Sequence, residues 1–135
     1  NVWYYLQNGQ SKKSIATNGQ TNSGAEMISK AKVGEGGQWQ FVPYGNDLYR
    51  IQNKHSKMYL ANFQQLNAGS KIKQTSKPAA GAVWRIEYLA NGHVRFINNQ
   101  SNLFITVDNM NEGSKISQSK STNAFTTWAP IEVGK

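Results

Sequence analysis

The chain has 135 residues, with fifteen Lys and Arg against seven Asp and Glu, a net charge of +8 and a pI near 9.8. That length suits one domain with its own core, and the absence of cysteine excludes a disulfide framework, a thiolate metal site and a cysteine nucleophile. No apolar run approaches the ~18 residues a membrane helix needs, and the basic balance fits either plain solubility or a polyanionic partner such as nucleic acid, anionic lipid or acidic polysaccharide.

In chain order, the predicted elements are short strands. Trp3 stands just ahead of the first, on the face opposite Tyr4, as a sugar platform or an edge-packing residue. From Tyr4 the segment YYLQNGQSKKSIAT carries the first strands, and Asn8-Gly9 and Asn18-Gly19 are turn dipeptides that tolerate positive φ. Gly24 and Met27 lead into a further strand that leaves through Lys30 and Lys32. The glycine-rich Val33–Gly37 stretch precedes a strand at Trp39 rather than a helix, so a turn explains it and a phosphate loop does not. After Gly45-Asn46-Asp47 the pattern starts again. Tyr49 and Ile51, Met58 and Leu60, Ile72, and then Trp84 and Ile86 mark four strands about 11 residues apart. Asn91-Gly92 precedes a third round, from Val94 through Ile105 and Ile116 to Trp128.

These rounds are copies. YYLQNGQSKKSIAT, YRIQNKHSKMYLAN from Tyr49 and VRFINNQSNLFITV from Val94 align at offsets of 45 and 45. Asn8, Asn53 and Asn98 coincide, as do Ser11, Ser56 and Ser101, and Ile15, Leu60 and Ile105. Gly24, Gly69 and Gly113 follow, then Met27, Ile72 and Ile116, and each unit ends in a tryptophan: Trp39, Trp84, Trp128. Units spanning 1–47, 48–92 and 93–135 predict a single all-β domain of twelve short strands, closed around a pseudo-threefold axis as a β-trefoil. A propeller needs at least about four blades, and a solenoid would show atypical end repeats. The repeated Trp, Leu and Ile positions are the expected shared core.

The segment His55-Ser56-Lys57-Met58-Tyr59-Leu60-Ala61, the Gly-Ser-Lys-Ile strand at Gly69–Ile72 and Gly113–Ile116, and the closing tryptophans resemble the ricin B-type trefoil family of lectins and carbohydrate-binding modules. The resemblance spans essentially the whole chain and implies sugar binding. It also implies where galactose-binding members hold their ligand, and this chain departs there in all three repeats. The acidic residue after the leucine is replaced by Ala16, Ala61 and Thr106. The pocket glutamine is replaced by Ile28, Lys73 and Ser117, and the stacking aromatic by Lys30, Thr75 and Ser119. The glutamine two before the closing tryptophan is replaced by Gly37, Ala82 and Thr126.

What stands nearby is basic and amide-rich. The second-strand loops carry Asn18, then Asn62, Phe63 and Gln64, then Asp108 and Asn109. The third strand and its exit carry Lys30, then Lys73 and Gln74 with Lys71 and Lys77, then Gln118 and Lys120 with Lys115. Ammonium groups beside amides and a ring suit a sulfated or carboxylated sugar; solvated turns are the plain alternative. Repeat two, with Phe63, Lys73 and Gln74 together, is the expected strongest site.

Seven carboxylates in no motif-like pair and two histidines, His55 and His93, give no hydrolase, metal or nucleophile pattern. The expectation is a non-enzymatic, cofactor-free, monomeric module. It would bind an anionic (sulfated) or other algal or β-glucan polysaccharide, or a glycan, through up to three repeat-related sites, ride on a secreted, bacterial polysaccharide-degrading enzyme, and engage neither membrane nor nucleic acid, since its lysines lie in no single stripe with stacking aromatics. The abrupt start at Asn1 fits a module cut from a longer precursor. The rival expectation is a cell-surface glycoconjugate lectin, or a toxin receptor-binding or protein-interaction module, on the same fold.

Overall fold

The computed structural model describes residues 2–134. It is all-β: β1 Tyr4–Asn8, β2 Ser14–Ala16, β3 Ile28–Lys30, β4 Trp39–Gly45, β5 Leu48–Asn53 and β6 Tyr59–Ala61 in the first half. β7 Lys73–Thr75, β8 Trp84–Tyr88, β9 Val94–Asn98, β10 Phe104–Val107, β11 Ile116–Ser119 and β12 Trp128–Glu132 follow. Six strands, β1, β4, β5, β8, β9 and β12, pair antiparallel in a closed ring. Closure leaves this barrel no free edge. The other six form three hairpins, β2–β3, β6–β7 and β10–β11.

The hairpins meet through a cycle of main-chain hydrogen bonds. Met27 N–H donates to Ile72 C=O at 3.0 Å, Ile72 N–H to Ile116 C=O at 2.8 Å, and Ile116 N–H back to Met27 C=O at 3.2 Å. A donor–acceptor chain that closes after three repeats is what a pseudo-threefold axis requires. The architecture is the expected β-trefoil.

Its core is the repeat made physical. Leu6, Ile15, Met27 and Trp39 from repeat one, Ile51, Leu60, Ile72 and Trp84 from repeat two, and Phe96, Ile105, Ile116 and Trp128 from repeat three are each at most 1% exposed. Burying an indole leaves one N–H to satisfy, at a cost of about 1–3 kcal/mol if it is not. All three are satisfied identically: the Nε1–H of Trp39, Trp84 and Trp128 donates at 3.0 Å to the carbonyls of Ile15, Leu60 and Ile105.

The invariant asparagines explain themselves in the same way. Asn8, Asn53 and Asn98 are fully buried. Each Oδ1 accepts two main-chain N–H groups of its own turn, those of Gln10 and Ser11 for Asn8. Each Nδ2–H donates to the preceding repeat, to Phe125, Gly36 and Gly81 carbonyls at 2.8, 2.9 and 2.8 Å. Asn8-Gly9 is therefore an asparagine-held turn and not the left-handed pair its sequence predicts; the left-handed residue is Lys12 at φ 64°. Asn18-Gly19 and Asn91-Gly92 do have positive φ throughout. The glycine-rich stretch before Trp39 contains one 3-10 turn, Glu35–Gly37, with equivalents at Ala80–Ala82 and Ala124–Thr126. No helix among the described residues is long and apolar enough to cross a membrane.

Candidate functional site

In each repeat a surface cleft opens where the end of the second strand, the third strand and the 3-10 turn come together. In repeat one Ala16 lies against Asn18, Lys30, Lys32, Glu35, the Gly34, Gly36 and Gly37 backbone and His55, around about 420 Å³. In repeat three Thr106, Asp108, Ser117, Ser119, Lys120, Asn123 and Phe125 enclose about 470 Å³. In repeat two Ala61, Phe63, Gln64, Thr75, Lys77, Gly81 and Ala82 enclose only about 130 Å³. Ala16, Ala61 and Thr106, aligned from sequence, thus line three equivalent places.

The small cleft has a local cause. Phe63 and Gln64 both adopt left-handed backbone, at φ 55° and 63°, which folds the loop back on itself. The Gln64 Oε1 accepts the Gly81 N–H at 3.3 Å, so its amide crosses the opening. Phe63 remains 38% exposed, with the Lys73 ammonium 5.3 Å from its ring centroid. Lys73 and Phe63 do meet, as a cation over a ring, but at the edge of the narrowest of the three clefts.

Three candidate residues are structural. Asn62 is fully buried; its Nδ2–H donates to Asn98 Oδ1 at 3.1 Å and its Oδ1 accepts the Gln64 N–H at 2.9 Å. Gln74 is fully buried and accepts the Ser56 hydroxyl at 2.7 Å, while its Nε2–H₂ donates to the Gln20 and Asn22 carbonyls at 3.1 and 3.0 Å. Gln118 repeats this with Ser101, the Gln65 carbonyl and Ser70 Oγ. Their polarity suggests surface; their side chains in fact tie the third strand of one repeat to the loop of the repeat before. Asn62 and Gln74 line none of the clefts, and Gln118 borders that of repeat three while almost wholly buried and committed to this tie.

The other candidates fall in different places. Asn18 and Lys30 line the cleft of repeat one, and Asp108 and Lys120 that of repeat three. Asn109 lies outside the lining and serves its own loop, its Oδ1 accepting the Asn111 N–H at 2.9 Å. Trp3 is half-buried at the barrel edge, where its carbonyl accepts the Val133 N–H at 2.9 Å and Lys54 Nζ stands 5.6 Å from its ring. It lines none of the three clefts. Asn123 and Phe125 carry no repeat landmark; Asn123 caps the 3-10 turn Ala124–Thr126 and Phe125 lies within it. Their proximity to Trp128 is the one signal that could have found them.

Charge is distributed unequally. Lys71 pairs with Asp108 at 2.8 Å and Lys115 with Glu26 at 3.0 Å. The Ser117 hydroxyl also donates to Asp108, so this carboxylate is held rigidly at the rim with acceptor capacity to spare. Lys30 and Lys32 in the first cleft, Lys77 in the second and Lys120 in the third make no ion pair among the described residues.

The model of the ricin-type beta-trefoil lectin domain-like family matches residues 1–75 and again 35–119. The chain belongs to that family. The double match, offset along the chain, is the threefold repeat seen a second way. Among curated proteins no match is found. Among solved structures, ThreeFoil, a designed 3-fold symmetric protein, aligns at a TM-score of 0.91 and 24% identity, over 96% of this chain and 97% of that one. An exo-beta-1,3-galactanase from Clostridium thermocellum aligns at 0.92 and 21% identity over 98% of this chain, which spans 30% of that one. A Macrolepiota procera ricin B-like lectin, in complex with lactose, aligns at 0.81 and 18%, over 96% and 94% of the two chains. At such identities the likeness speaks for the fold. This ricin-type trefoil keeps the threefold core and varies each cleft.

Proposed function

We propose that this chain is a non-catalytic carbohydrate-binding module that holds a secreted polysaccharide-degrading enzyme on an anionic polymer, through clefts repeated around the trefoil axis. The observation that carries the reading is the recurrence of equivalent clefts whose rims keep unpaired ammonium groups: Lys30 and Lys32, Lys77, and Lys120. With fifteen basic residues against seven acidic ones, many lysines lack an ion-pair partner; what supports the reading is that at least one of them lines the equivalent cleft in each repeat. Membership in a lectin-like family supports sugar as the ligand. Resemblance to part of a galactan-cleaving protein supports the role of an appended module.

The chemistry follows from the lining. Ammonium groups attract a sulfate or carboxylate, Asn18 and Asn123 offer amides to hydroxyls, and Phe125 presents a ring to a sugar's apolar face. Each cleft alone is shallow and binds weakly. One polymer engaging two clefts gains about 10²-fold in apparent affinity where the spacing allows.

Affinity electrophoresis in gels of carrageenan, fucoidan, alginate, laminarin or xylan tests this. Retardation by the charged polymers alone is expected; retardation by laminarin or xylan alone would assign recognition to aromatic stacking. A second reading, a lectin for a cell-surface glycoconjugate, draws on the inequality of the clefts. It predicts one dominant cleft and binding to a sialylated or sulfated oligosaccharide as tight as to any polymer.

A further inference from the structure

Beside the cleft of repeat one lies a second depression, of about 340 Å³, lined by Tyr5, Gln7, Ser14, Lys32, Val33 and Ile131. The two share Lys32 and Val33, so they are neighbouring compartments of one surface groove. The second compartment lies on the outside of the barrel. Tyr5 and Ile131 are directly paired across β1 and β12, and Gln7 pairs with Ser14 across β1 and β2.

Its contents suit a sugar ring. A half-buried tyrosine and an exposed isoleucine give an apolar floor, Gln7 gives a side-chain amide beside the largely buried Ser14, and Lys32 lines both compartments. Resting on the reading of repeat one as a glycan cleft, we infer that Tyr5, Gln7 and Lys32 form an additional subsite, so that this groove takes at least two consecutive disaccharide units of an anionic polysaccharide. Lys32 would meet the charged group at the junction of the two units, and Tyr5 would carry the apolar face of the second.

The other repeats cannot do the same. The positions of Tyr5 are held there by Arg50, whose guanidinium lies 4.3 Å from the Tyr44 ring centroid, and by Arg95, which pairs with Glu87 at 3.4 Å. Both replace an open ring by a charged group already engaged. Repeat one is therefore the site that reads chain length, and the other two read single units.

The test is a length series of κ-carrageenan oligosaccharides, a disaccharide, a tetrasaccharide and a hexasaccharide, titrated calorimetrically into the wild type, Tyr5→Ala, Tyr5→Phe and Lys32→Gln. An aromatic–sugar contact of ordinary strength is worth about threefold to tenfold. The wild type should bind the tetrasaccharide tighter than the disaccharide by about that factor. Tyr5→Ala should abolish the gain while leaving the disaccharide affinity intact, and Tyr5→Phe should retain it. Lys32→Gln should weaken both lengths and flatten the salt dependence. Disaccharide and tetrasaccharide binding equally to the wild type, or Tyr5→Ala keeping the gain with an unchanged melting temperature, would overturn the extra subsite while leaving the cleft standing. No binding of any length by the wild type would overturn the cleft reading itself, and the subsite with it.

Discussion

At the residue scale, the informative feature is polarity spent inward. Gln74 and Gln118 each bridge a serine of their own repeat to the loop of the repeat before, and both are essentially unexposed. At the equivalent place in repeat one stands Ser29, too short for the bridge, and its hydroxyl is buried with no hydrogen-bond partner. Lys13 takes over part of the task, donating to the Met110 carbonyl at 2.8 Å. Two outcomes follow for thermal denaturation. Gln74→Ala should cost about 1–3 kcal/mol, because it strands the Ser56 hydroxyl and two loop carbonyls. Ser29→Gln should gain up to about 1 kcal/mol by rebuilding the missing bridge. If Gln74→Ala melted like the wild type but lost glycan binding, the glutamine would be a ligand contact after all.

The same residues show why a sequence misleads here. An amide beside lysines and serines on a short strand looks like surface chemistry, although Gln74 and Gln118 stand two residues after the core Ile72 and Ile116 and so share their inward face. By contrast Trp39, Trp84 and Trp128 could be assigned to the core outright, because an apolar ring recurring in register with Leu and Ile positions has no other common explanation.

At the element scale, the 3-10 turns position the clefts. Gly81 shows how tightly. A Cβ added there would stand 1.9 Å from Asn62 Oδ1, and that oxygen is fixed by the Gln64 N–H and the Asn98 network. Gly81→Ala is therefore expected to destabilise by about 1–3 kcal/mol and to disturb the second cleft. Gly34→Ala, with nothing within 4 Å of the new methyl, should be nearly neutral. Equal melting temperatures for the two variants would contradict this packing. The glycines of Val33–Gly37 predict a turn, and a turn is found there; its 3-10 form is too short to show any periodicity. The left-handed Phe63-Gln64 pair was hidden, since neither residue favours positive φ. That loop conformation, which no composition rule anticipates, is what closes the cleft that had looked richest.

At the scale of the whole molecule, threefold repetition was legible throughout, because a core shared by three units demands the same apolar residues in the same register three times. The clefts face outward under no such demand, so their inequality had to be seen in three dimensions. Net charge acts at this scale too. With +8 on the chain and four cleft lysines unpaired among the described residues, long-range attraction should speed capture of an anionic polymer and fade as salt shortens the screening length from about 10 Å at 0.1 M to about 3 Å at 1 M.

Recognition by the cleft lysines is tested by the affinity for a sulfated polymer at low and high salt, measured for the wild type and for a variant with Lys30, Lys32, Lys77 and Lys120 all changed to Gln. Raised salt should weaken the wild type at least about tenfold, and the variant should bind weakly at low salt with little further loss. Undiminished, salt-dependent binding by a folded variant would contradict recognition by these lysines, placing it on basic residues away from the clefts.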